Sequence, residues 1–99
     1  MDDFFPTKKK KKVDYEALHS PLNRIPGIDL PSVRDLIDLG FSETDELRGR
    51  SPEALYEDLL NKNEQTPRDR LYAIRLAVYF AESPEPDPTL LNIWKWQDS

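Results

Sequence analysis

The chain reads as an all-α fold, and three observations carry that reading. Nowhere do four or more residues alternate convincingly between apolar and polar, as a half-buried strand requires. Nine prolines and only three glycines fit short helices stopped at sharp boundaries. The stretch 67–82 is apolar on nearly every side, the mark of a buried helix at the centre of a fold. At 99 residues the chain suits one domain with one modest core. The expectation is a disordered basic arm over 1–13, then five or six short helices in a single small domain over 14–99.

The elements follow in order. Residues 1–13 have neither helical nor strand period, and five adjacent lysines repel one another. Asp14 can cap a helix over about 15–23, with Ala17, Leu18 and Leu22 on its apolar side; Pro21 bends it or restarts it. The run Ile25-Pro26-Gly27-Ile28-Asp29-Leu30-Pro31 is a turn. Ser32 can cap a helix over 33–39, and Gly40 supplies its left-handed end. Ser42, with Thr44, Asp45 and Glu46 behind it, predicts a short helix to about Arg48, closed by Gly49. Ser51-Pro52-Glu53 is a strong start signal for a helix to Lys62. Thr66-Pro67 repeats it for the central helix. Ser83 to Asp87 is a stiff connector, and Asp87-Pro88 opens a last helix bearing Leu90, Leu91, Ile93, Trp94 and Trp96.

Composition removes several function classes. There is no cysteine, which excludes disulfides, thiolate metal sites and cysteine nucleophiles; one histidine, His19, excludes a multi-histidine metal site. The longest uncharged apolar run, Leu76 to Ala81, is far too short to span a bilayer, and no apolar segment follows the lysine run as in a secretory signal. A cytoplasmic protein with no cofactor, no metal and no membrane partner is expected. Residues 1–12 hold five lysines against two aspartates, and residues 13–99 hold nine basic against seventeen acidic side chains, giving the net charge of −5. An acidic body opposes broad, nonspecific binding to nucleic acid, while a local site assisted by the arm stays open.

Residues 22–36 (LNRIPGIDLPSVRDL) are the most informative segment. An apolar residue is followed at i+3 by apolar-Pro-Gly-apolar and then by a capped helix. This resembles the helix-hairpin-helix motif of DNA-repair and recombination proteins. Ile25, Pro26, Gly27 and Ile28 match its hairpin; Asp29 stands where a second glycine is usual, and Val33 where a small alanine is usual. Pro31 removes an N–H and replaces a position that is often basic there. The resemblance implies that backbone N–H groups of Gly27, Ile28 and their neighbours face a DNA phosphate along the minor-groove side. Such donors hold a phosphate without reading sequence. Asp29 places a negative charge where that phosphate would sit, whereas Arg24 and Arg34 flank the hairpin with positive charge. The competing reading is that the hairpin only joins two helices.

A wider resemblance covers roughly 18–98. It rests on Asp35-Leu36, Leu39-Gly40, Leu47-Arg48-Gly49, Pro52-Glu53-Ala54-Leu55-Tyr56, Asp69-Arg70, Ala77-Val78-Tyr79-Phe80-Ala81, Asp87-Pro88 and Trp94-Lys95-Trp96, in that order and spacing. Together these resemble the small bacterial pathogenicity-locus proteins, labelled helix-hairpin-helix or mitomycin-resistance-like. The resemblance implies a SAM-like helical domain with one helix-hairpin-helix unit, and its label names no reaction. Family members often carry cysteines near the Asp-Arg piece and in the long helix, and this chain has none.

Other candidates are weaker. Lys8, Lys9, Lys10, Lys11 and Lys12 suit phosphate contact or form a solvated tail. Arg68 and Arg75 share a helical face that excludes Arg70, and salt-bridging to the acidic body is the plainer use of all three. His19, Ser20 and Glu16 invite a triad, but adjacent residues of a helix point about 100° apart. The aromatic set Tyr56, Tyr72, Tyr79, Phe80, Trp94 and Trp96 is expected to pack the core, with one tryptophan inward and the other partly exposed. No nucleophile–base pair survives inspection, so no enzyme is expected. Two functions stand: weak, sequence-independent DNA binding through Arg24, Pro26, Gly27, Ile28, Asp29, Arg34 and the lysine arm, or a protein-interaction (adaptor) domain with a purely structural hairpin. A positive patch at the hairpin marks the first, and an exposed apolar patch the second.

Overall fold

A computed structural model describes residues 13–98. It is helical: four α-helices, α1 (Tyr15–Leu18), α2 (Leu30–Asp38), α3 (Pro52–Lys62) and α4 (Asp69–Glu82), with four short 3₁₀ helices, and no strand among the described residues. The expected five or six helices become four because two predicted helices close as 3₁₀ turns instead. These are Thr44–Leu47 and, at the C-terminus, Pro88–Leu90 with Ile93–Trp96.

Asp14 caps α1 as expected, accepting the Ala17 N–H at 3.1 Å. The helix stops early because Ser20 precedes Pro21 and is held extended, and the chain restarts as the 3₁₀ helix Pro21–Arg24. The joint is closed by Asn23, whose amide donates to the carbonyls of Ala17 (2.6 Å), Leu18 (3.0 Å) and Ser20 (3.2 Å).

Helix α2 begins three residues before its predicted start. Its cap is Asp29, whose carboxylate accepts the Ser32 N–H at 3.3 Å, while Ser32 itself is buried. Pro31 fits within the first turn, where its missing N–H leaves no helical bond unmade. The C-terminus follows the predicted pattern. Gly40 takes φ +101°, its N–H reaches Ile37 O at 2.9 Å and the Phe41 N–H reaches Leu36 O at 3.0 Å, with Leu36 and Phe41 both buried.

Helix α3 matches its predicted span, with the Ser51 hydroxyl accepting the Ala54 N–H at 3.2 Å. The predicted cap at Thr66 is not formed. Its hydroxyl donates to Asn63 O at 2.6 Å, within the turn that separates α3 from α4. Helix α4 lies at the centre, burying Leu71, Ala73, Ile74, Leu76, Ala77 and Val78. It packs against α2, α3, Thr44–Leu47 and Ile93–Trp96, which explains why it is apolar on every side. The remaining core comes from Ala17, Leu22, Ile25, Val33, Leu36, Phe41, Leu47, Leu55, Tyr56 and Leu59.

Candidate functional site

The hairpin turn lies between the 3₁₀ helix Pro21–Arg24 and α2. Leu22 and Ile25 anchor it in the core, and the Ile28 N–H closes the turn on Ile25 O at 3.3 Å. Gly27 sits at φ +82°, a conformation closed to most side chains. A Cβ on Gly27 would lie 2.7 Å from Leu91 O and 3.3 Å from Leu91 C, so this glycine admits the backbone of the C-terminal segment. The glycine of the Pro-Gly turn is therefore used inside the molecule.

Pro26, Gly27 and Asp29 are exposed, and Ile28 is half-buried. The Asp29 carboxylate turns back onto the N-terminus of α2 as its cap. It thus occupies an amide that an incoming phosphate would otherwise use. Among the described residues no oxygen accepts from the N–H of Gly27 or Asp29. Arg24 is exposed at the end of the 3₁₀ helix, with no ion-pair partner among the described residues.

Arg34 does not add free charge to the hairpin. Its guanidinium meets Glu16 at 3.0 Å, Asp14 at 3.1 Å and Asp38 at 2.9 Å. Hydrogen bonds to Glu16 and Asp38 hold its pKa above the ordinary arginine value. Three carboxylates around one cation leave the neighbourhood net negative. Lys8, Lys9, Lys10, Lys11 and Lys12 lie outside the described residues.

Arg68, Arg70 and Arg75 are paired as expected. Arg70 bonds Asp35 and ties α4 to α2, both side chains being largely sequestered from solvent. Arg68 and Arg75 converge on Asp98 at 2.8 and 3.2 Å, and Arg75 also meets Glu53 at 3.1 Å and Trp96 O at 2.7 Å. Arg68 first and Arg75 second hold the Asp98 carboxyl down to about 2 from its ordinary 3.8. Elsewhere the Ser42 and Glu43 N–H groups, donating at 2.7 and 2.9 Å, lower the Glu46 carboxyl.

The triad reading of His19 and Ser20 finds no geometry. His19 stacks on Tyr15 with ring centroids 6.2 Å apart, and the Ser20 hydroxyl accepts the Leu22 N–H at 3.0 Å. Trp96 packs inward on Tyr79 at 5.2 Å, and its indole N–H donates to Leu90 O at 2.8 Å; Trp94 stands out and is 53% exposed. Among the described residues, the large apolar side chains left exposed are Val13 (54%), Tyr15 (65%), Leu18 (47%) and Trp94. Three of the four thus fall within six residues at the start of the domain, and Tyr15 and Leu18 lie one turn apart on α1. Sequence reasoning missed Asn23, Leu91 and Asp98, because their partners are set by tertiary contacts or by a backbone atom that no side-chain pattern signals.

No helix among the described residues is long and apolar enough to cross a membrane. No curated protein and no solved structure matches the chain. The sequence pattern of the pathogenicity-locus family, Cdd1, matches residues 16–99, nearly the whole domain, and the chain belongs to that family.

Proposed function

We propose that this domain is a protein-interaction (adaptor) module whose hairpin serves architecture. The observation that carries the reading is the exposed apolar edge formed by Val13, Tyr15 and Leu18. A solvent-facing group of large apolar side chains on a small soluble domain is best explained by a partner. The hairpin is the frame that holds this edge: Arg34 joins α2 to Asp14 and Glu16 at the start of α1. In this reading the order of 3₁₀ turn, Pro-Gly turn and α2 is one helix-hairpin-helix unit in a SAM-like domain. Its signature residues are spent on internal packing and capping.

A second reading, weak sequence-independent DNA binding, is favoured by the unengaged N–H groups of Gly27 and Asp29 beside the exposed Arg24, with Lys8–Lys12 as added charge. The experiment compares the two directly. Anisotropy of labelled 20-base single- and double-stranded DNA is followed with the full chain, residues 13–99, and Arg24→Glu, at two salt concentrations. In parallel, the wild type and a Tyr15→Ser/Leu18→Ser variant are used to capture partners from the native host. The adaptor reading expects no DNA binding by residues 13–99 and a partner that is lost with the double variant. Salt-sensitive binding by residues 13–99 that Arg24→Glu abolishes would replace it with the DNA reading.

A further inference from the structure

The C-terminal segment 87–98 covers α4 without joining the core as a helix. It consists of two 3₁₀ turns, and none of its residues is fully buried. Leu91, Ile93 and Trp96 pack half-buried against the core, and a few polar contacts add to them. At its start, the Asp87 N–H donates to the Tyr79 hydroxyl at 2.8 Å. In the middle, Leu91 O lies against Gly27. Near its end, Trp96 rests on Tyr79, and Arg75 donates to Trp96 O at 2.7 Å. At the last described residue, Asp98 sits between Arg68 and Arg75.

The physical character of these contacts is unlike that of the core. Asp98 and Arg68 are about half exposed, so their attraction is screened by salt, whereas contacts among fully buried side chains are not. Three prolines at 84, 86 and 88 stiffen the connector and keep the segment from continuing α4. Side chains that are at most half-buried and polar contacts open to solvent are the properties of a segment that opens below the global unfolding free energy.

We propose that residues 87–98 form a strap, latched by Asp98 onto Arg68 and Arg75, which opens as a unit while α2, α3 and α4 stay folded. Opening removes the Leu91 carbonyl from Gly27 and bares the Tyr79 ring of α4 on which Trp96 rests. Strap and hairpin are thereby coupled: a ligand that needs the Gly27 backbone free, or the α4 face bare, draws on the open state. The inference holds whichever partner the domain takes.

The chain carries its own reporter, because its two tryptophans, Trp94 and Trp96, both lie in the strap. The full chain is titrated with urea and followed by tryptophan emission and by helical circular dichroism. The expected result is an emission transition that precedes the helical one. Asp98→Asn moves the emission transition to lower urea and leaves the helical midpoint in place; 1 M sodium chloride does the same. Glu85→Gln, outside the latch, moves neither. Coincident transitions in every sample, or equal displacement of both probes by Asp98→Asn, would mean that the strap is an integral part of the core and would overturn the proposal.

Discussion

Replacing Gly27 by alanine tests the central geometric claim, that this glycine exists to let another backbone approach. Two costs add at this position. The first is conformational: φ +82° lies in the left-handed region, which costs a residue with a Cβ about 1–2 kcal/mol. The second is steric. The new Cβ would sit 2.7 Å from Leu91 O, a backbone atom that cannot swing aside as a side-chain tip can. Forcing extra atoms into such a contact costs about 1–3 kcal/mol. The sum, about 2–5 kcal/mol, is a large share of the 5–15 kcal/mol typical of a domain. Gly40 and Gly49 supply internal controls. Both have positive φ, +101° and +76°, and a Cβ on either meets nothing within 4 Å. Gly40→Ala and Gly49→Ala therefore bear the first cost alone. The entropy that alanine removes from the unfolded chain is common to all three and cancels in the difference. Urea unfolding followed by tryptophan emission, which reads the segment that carries Leu91, gives the three values. Gly27→Ala is expected to exceed both controls by about 1–3 kcal/mol. Equal losses at all three glycines would refute the claim and leave Gly27 as an ordinary turn glycine.

The remaining predictions are more local. Asp29→Ala is expected to lower stability by about 1 kcal/mol as the true cap of α2, and Ser32→Ala by less, measured by chemical denaturation; the reverse order would restore the cap to Ser32. A double-mutant cycle on Asp35 and Arg70 is expected to give a favourable coupling of about 1–3 kcal/mol, because the pair is largely shielded from solvent; a coupling near zero would reduce it to a surface pair. The Asp98 carboxyl is depressed in the folded chain, so its contribution to stability is complete above its ordinary 3.8 and is lost as pH falls from there toward about 2. The stability of the strap, read from tryptophan emission across that window, is expected to fall less steeply in Asp98→Asn than in the wild type, and parallel emission curves would refute the latch.

Much of the fold was legible because its signals are local. A cap acts within three or four residues of itself, so Asp14, Ser51 and Gly40 could be placed by eye, and each does what its spacing predicts. The failures share a cause as well. At 29–32 two cap-competent residues stand three apart, and the choice fell to burial: Ser32 packs inside, which leaves Asp29 at the boundary. At the C-terminus, Asp87-Pro88 predicts the opening of a helix, but Leu91, Ile93 and Trp96 are drawn onto the core at separate points, and 3₁₀ turns satisfy those contacts where a straight helix would not. For the candidate site, the sequence located the Pro-Gly turn and its glycine but not their use. Arg24 and Arg34 look equivalent in the chain, yet one is exposed and the other is enclosed by Asp14, Glu16 and Asp38.

By itself, then, the sequence determined the helical class, the central position of α4, the Pro-Gly turn and the absence of cysteine chemistry. Each of these is set by residue type or by spacing within one or two helical turns. Tertiary structure alone decided which glycine faces a backbone, which arginines are enclosed by carboxylates, and where Asp98 finds its partners. Those outcomes depend on atoms separated by some 20 to 60 positions in the chain, brought together only when burial of the shared core overrides local preference.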